Sequence, residues 1–245
     1  MRGGWMSEDG RRFRPSLRAA LFTLPALIIL VLLGNWQMHR LHWKRGLLQE
    51  IAAHMAAPPV NLPATPFAAE TWEYRHVTVT GVFDHAHEMY LFAPGPQGGA
   101  GYQVITPLIR PEGDVVLVNR GWVPTDHKDS ATRAAAQLAG QVTVAGVIRL
   151  TGKSNMFSPA NRPDLGIWYV RDIASMANYI GAQRKGLKVP PVVVEADATP
   201  NPGGWPQGGN TITEIPNNHL DYALTWYGLA LVLLVIYVVY HWRRD

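Results

Sequence analysis

The chain has 245 residues, 47% of them hydrophobic, a formal net charge of +4 and no cysteine. The missing cysteine excludes a disulfide framework, a zinc-thiolate site, thiol redox chemistry and covalent haem attachment through a CxxCH motif. The basic excess resides in the tails, +3 in residues 1–18 and +1 in residues 243–245, so the remaining 15 basic and 15 acidic groups present no net field to nucleic acid.

Residues 1–18 form a tail with Arg2, Arg11, Arg12, Arg14 and Arg18 against Glu8 and Asp9. The 20 residues from Ala19 to Met38 carry no charged side chain and predict a transmembrane helix over 19–38, with Pro25 tolerated through contact with a neighbouring helix. The run is too long for a signal-peptide core, no small-residue cleavage site follows it, and the tail does not read as an organellar transit peptide. Leu47, Leu48, Ile51 and Met55 keep helical spacing and extend the span as an amphipathic stalk, which Pro58, Pro59, Pro63 and Pro66 end. Residues 39–69 are therefore a stalk and extended proline-rich linker.

Residues 70–216 read as a mainly antiparallel β domain of the α+β class, a sheet curled towards a barrel. RHVTVTGVF and QVTVAGVIRL alternate apolar and polar residues as half-buried strands, and the glycine in their shared VTVxGV shape marks a bend or bulge. Further strands are predicted at 88–92, 102–108, 114–119, 167–171, 192–195 and 211–215. Asp172 caps a short helix with Ile173, Met176, Ala177 and Ile180 on one face, ending at Gly181, and Ser130–Ala139 forms a second helix ending at Gly140. Residues 217–240 form the second transmembrane helix with its outer cap, including 19 uncharged residues from Tyr222 to Tyr240, and 241–245 form the last tail. The basic tails direct both termini to the cytoplasm and the middle domain to the periplasm of a bacterial inner membrane, against the opposing bias of Arg40, Lys44 and Arg45.

No GxSxG elbow, HExxH helix or nucleotide loop is present, so a non-enzymatic role is expected. His85, His87 and Met89 on one face of a strand could hold copper, although DHAHE reads first as a solvated turn. His54, His76 and His127 are isolated and receive no role. Trp36 and Trp43 read first as interfacial anchors. Asn217 and Asn218 can cap the second span, with Tyr222, Ala223 and Trp226 on the side of His219. Position alone leaves His219 either a capping, headgroup-facing residue or a ligand. With the spans antiparallel, His219 meets the segment 36–40, which together supply an imidazole, aromatic walls, a close approach at Gly34 and a cation suited to haem.

LGNWQMHRLHWK after the first span, VLVNRGWVP at 116–124 and NNHLDYALTWYGLA at 217–230 resemble the Surfeit-locus-one family of cytochrome c oxidase assembly proteins, in its bacterial form. The resemblance implies an assembly factor that receives haem a as transient cargo and passes it to the catalytic subunit of a haem-copper oxidase. His219 matches the family's histidine and becomes the first choice of iron ligand, with Trp36, Arg40, Tyr222 and Trp226 as further haem contacts. Trp36, Gln37 and Arg40 fall on the first-span motif, and Asn119, Arg120, Gly121 and Trp122 on the central one; Gly121 suits a turn and Arg120 a docking or propionate contact. The implied partners are oxidase subunit I, haem a synthase and membrane lipid, with no nucleic acid. A haem-free scaffold for a nascent oxidase subunit and an exported copper carrier are the alternatives.

Overall fold

A computed structural model describes residues 12–13, 15–95, 98–183, 186–211 and 216–243. The chain divides into two compact units, Met1–Glu50 with Glu214–Asp245, and Ile51–Thr213.

Helix α1 (Leu17–Ala56) runs unbroken through Pro25 and belongs to the first unit as far as Glu50, and α3 (His219–His241) lies wholly in that unit. Strands β1 (Arg12–Phe13) and β10 (Trp242–Arg243) pair antiparallel. Both long helices carry a window long and apolar enough to cross a membrane. Most of their leucine, isoleucine and valine side chains are exposed, so each helix presents an apolar surface that the described residues do not cover. The expected stalk is the continuation of α1, with Ile51 buried and Leu47, Leu48 and Met55 half-buried.

The second unit is a closed five-strand barrel in the order β3 (His76–Phe83), β7 (Gln141–Arg149), β9 (Val193–Ala196), β6 (Val115–Pro124), β5 (Ala100–Ile109), with β5 returning to β3. Three further strands sit at its edges. β2 (Val60–Asn61) pairs with β3, β4 (Met89–Pro94) with β5, and β8 (Ile167–Trp168) with β4. Most pairings are antiparallel as expected, but β2–β3, β4–β8 and β6–β9 are parallel. The proline-rich linker thus contributes a short strand and carries Leu62 and Ala69 into the barrel core.

The two VTVxGV segments are direct partners, with Val79 opposite Val144 and each glycine opposite the other segment's first valine. A Cβ on Gly81 would strike the Ile109 carbonyl and one on Gly146 the Glu195 carbonyl. Both glycines therefore sit where a strand passes from one neighbour to the next and the sheet closes. β6 is covered on both faces. Val116 and Val118 enter the barrel core, while Val115 and Leu117 pack outside with Trp168 and helix α2 (Ile173–Gln183). Burial on both sides explains why VVLV is continuous rather than alternating.

Asp172 caps α2 by accepting from the Ser175 amide at 3.1 Å, and Ile173, Met176 and Ile180 form its buried face, but the helix continues past Gly181 to Gln183. The expected helix at 130–139 is instead a run of 3-10 turns over Ser130–Ala136, broken at Arg133. The strand expected at 167–171 stops at Trp168, because the Tyr169 and Val170 amides donate to the Asn161 side chain. The strand expected at 211–215 lies outside the described residues apart from Thr211.

Candidate functional site

Within residues 31–45 the buried positions of α1 are Gly34, Gln37 and Leu41, spaced three and four apart on one face. The matching face of α3 carries His219, Ala223, Tyr227 and Ala230, half-buried or buried at spacings of four, four and three. Small residues bring the helices close, and a Cβ on Gly34 would lie 2.5 Å from the Tyr227 ring. Three polar links run along this seam in antiparallel order. The Tyr227 hydroxyl donates to Asn35 Oδ1 at 2.7 Å, His219 Nδ1 donates to Gln37 Oε1 at 2.7 Å, and the Lys44 ammonium donates to the Pro216 carbonyl.

The central link fixes the chemistry of the imidazole. An amide oxygen can only accept, so Nδ1 carries the proton of this bond and Nε2 lies outside it. Donation to an oxygen also orients the ring, which is how proteins prepare a histidine to bind a metal. Gln37 was placed on a motif by sequence but not paired with His219. Its spacing of three from Gly34 was the available signal, since the two share a face.

The other expected site residues differ. Trp36 and Tyr222 are more than half exposed, Trp226 is half-buried, and Arg40 is exposed with its guanidinium 4.5 Å above the Trp43 ring. Among the described residues no hydrogen bond or ion pair joins Arg40 to His219. Asn218 occupies the N-cap position of α3 without a capping side-chain bond, contrary to expectation, and Asn217 Oδ1 is buried without a donor. Asp221 in the first turn favours the positive helix end.

The alternative copper face does not form. His85 and His87 lie on a 3-10 turn, where the two rings are not on alternate positions of a strand. His87 Nδ1 donates to Asp84 Oδ2 at 2.6 Å, His85 Nε2 to the Leu138 carbonyl at 3.1 Å, and Met89 is packed in the core around Trp168. Among the described residues no group of three or more histidine, aspartate and glutamate side chains could hold a metal.

The central motif lies on β6 rather than in a turn. Gly121 faces Val104 and Asn119 faces Ile105, which leaves Arg120 as the extra residue of a bulge. Gly121 has φ +127°, and any Cβ there would strike the Gln207 carbonyl, whose segment pairs with Trp122 through hydrogen bonds of 2.8 and 2.9 Å. The bulge turns Arg120 inward to 2% exposure, with its guanidinium 4.7 Å over the Phe83 ring. Arg120 Nη1 lies 3.6 Å from Glu88 Oε1, and Arg133 Nη2 donates to Glu88 Oε2 at 2.8 Å. Burial pushes the Glu88 carboxyl up, but His85, Arg133 and Arg120 outweigh it and hold the group at about 2. Arg120 is also lowered, but there burial wins. Burial lowers it to about 10, against the attraction of Glu88 and with the repulsion of Arg133. The asymmetry has a simple cause, because one carboxylate serves two guanidinium groups.

The chain matches the family model described as SURF1 family over residues 24–231. It is 36% identical to human Surfeit locus protein 1 over 214 residues, covering 81% of this chain and 69% of the relative. The Surfeit locus protein 1 of Xenopus tropicalis is 35% identical, covering 81% and 67%. A SURF1-like protein of Monosiga brevicollis is 36% identical over 234 residues, covering 89% and 85%. The match includes α1, the barrel and the start of α3 with His219, and the chain belongs to the SURF1 family.

Proposed function

We propose that this protein is an assembly factor for haem-copper cytochrome c oxidase that binds haem a through His219 and passes it to catalytic subunit I. The supporting observation is the 2.7 Å bond from His219 Nδ1 to Gln37 Oε1, which orients the ring and leaves Nε2 outside that bond, where iron can be ligated. Trp36, next to Gln37, and Tyr222, three residues after His219, are exposed and offer aromatic surface to the macrocycle, with Trp226 one turn beyond Tyr222 on α3. Arg40 keeps its guanidinium exposed where a propionate can reach it.

The role is that of a carrier, with no bond made or broken in its cargo. A single imidazole on a partly open seam suits release, because docking on subunit I need only offer the iron a better site. The working location is a bacterial inner membrane, with α1 and α3 crossing it, both termini in the cytoplasm and the barrel in the periplasm. Haem a synthase is the natural donor and subunit I the acceptor.

The test is purification from a host that makes haem a, followed by cofactor extraction and a visible spectrum, for the native chain and His219→Ala. The native protein should carry haem a and the variant should lose it. Equal content in both would remove His219 as the ligand. A colourless native protein that still co-purifies with oxidase would leave the haem-free scaffold as the better reading.

A further inference from the structure

The barrel domain contains a cavity of about 230 Å³ that the haem reading does not use. Phe83, Leu138, Val142 and Val144 give it apolar walls, Arg120 lines it as a buried cation, and Asp197 stands half-buried at its edge. Its volume falls below the roughly 300–1,000 Å³ of sites for drug-sized ligands, so its occupant is small.

Arg120 is held but not satisfied. Its Nη2 donates to the Ala136 carbonyl at 2.6 Å and to Asn201 Oδ1 at 3.2 Å. Its Nε and Nη1 are buried and meet no acceptor among the described residues, with Nη1 3.6 Å from Glu88, beyond hydrogen-bonding distance. Glu88 gives its shorter contact to Arg133, so the cluster of two guanidinium groups and one carboxylate retains a positive charge in the interior. Buried cations of this kind are normally paired. A carboxylate carries the missing charge and has acceptor oxygens placed to match the fork of a guanidinium.

We propose that this cavity binds a small apolar monocarboxylate, its carboxylate on Arg120 and its hydrocarbon against Phe83, Leu138, Val142 and Val144. Asp197 selects against a second negative charge on the ligand. The site lies wholly within Ile51–Thr213 and is independent of His219.

The test uses the full chain in lipid nanodiscs with arginine side chains labelled by nitrogen-15, titrated with hexanoate, adipate and hexan-1-ol. The Arg120 Nε–H signal, assigned by its loss in Arg120→Lys, should move saturably with hexanoate and exchange more slowly with water. Adipate should bind at least about tenfold more weakly, and hexan-1-ol should not reproduce the shift. Val144→Trp, which fills the cavity and keeps Arg120, should abolish the response while leaving the other arginine signals in place. The proposal is overturned by an Arg120 signal that does not move, by a response that survives Val144→Trp, or by equal effects of hexan-1-ol and hexanoate.

Discussion

Among the described residues three polar links cross the seam between α1 and α3, each a single bond, whereas Glu88, Arg120 and Arg133 of the barrel are clustered at side-chain exposures of 0–3%. A bond in the first set can be lost at small cost in stability. A member of the second set cannot be removed without leaving a charge stranded in a low-dielectric interior. Polarity at the helix seam is therefore available for binding, while polarity in the barrel first of all specifies the fold.

The largest effect that contrast predicts is at Gly121. Gly121→Val puts a branched side chain at φ +127° against the Gln207 carbonyl, so the barrel should lose more than about 4 kcal/mol and fail to fold cooperatively, as read by proteolysis of purified membranes. Next is Glu88→Gln, which leaves Arg120 and Arg133 without their shared carboxylate and should cost about 3–5 kcal/mol in a thermal melt.

The same carboxylate sets an acid response. Its folded value of about 2 lies below the usual 4.5, so its contribution is complete above pH 4.5 and is lost as pH falls through 2. Melts of the native protein should therefore lose up to about 3 kcal/mol across that window, and Glu88→Gln should flatten the slope. A slope unchanged by the substitution would mean that other carboxylates dominate the acid transition.

Effects on the helix seam should be smaller in stability and larger in cargo. Gly34→Val pushes into the Tyr227 ring and should cost about 1–3 kcal/mol of helix association, measured by cross-linking cysteines introduced on the two helices. Gln37→Leu should cost only about 0.5–1.5 kcal/mol. Even so, it releases the His219 tautomer and should lower the haem a content of the purified protein several-fold. If Gln37→Leu instead unfolded the chain and left cargo per folded molecule unchanged, the division between binding seam and structural cluster would be wrong.

Much of the architecture was legible because its signals are local. Two long charge-free runs, alternation in RHVTVTGVF and QVTVAGVIRL, and the Asp172 cap before α2 each depend on residues within one or two turns of one another. Ser130–Ala136 was misread because helix propensity is a weak prior that tertiary context overrides, here with Arg133 drawn inward to Glu88. The DHAHE segment, read first as a turn, is one: Asp84 accepts from both the His87 amide and its ring, and the alternative strand does not form.

The sequence by itself determined the apolar spans, the strand-rich middle and the position of His219 at the head of α3, since periodicity and hydropathy are properties of neighbouring residues. Only the tertiary structure decided that the two VTVxGV strands pair with each other, that Gln37 is the partner of His219 across 182 positions, and that the Arg120 bulge faces inward. Those outcomes depend on which distant backbones can approach closely and which buried charges must share a counter-ion, and such constraints exist only once the chain has closed on itself.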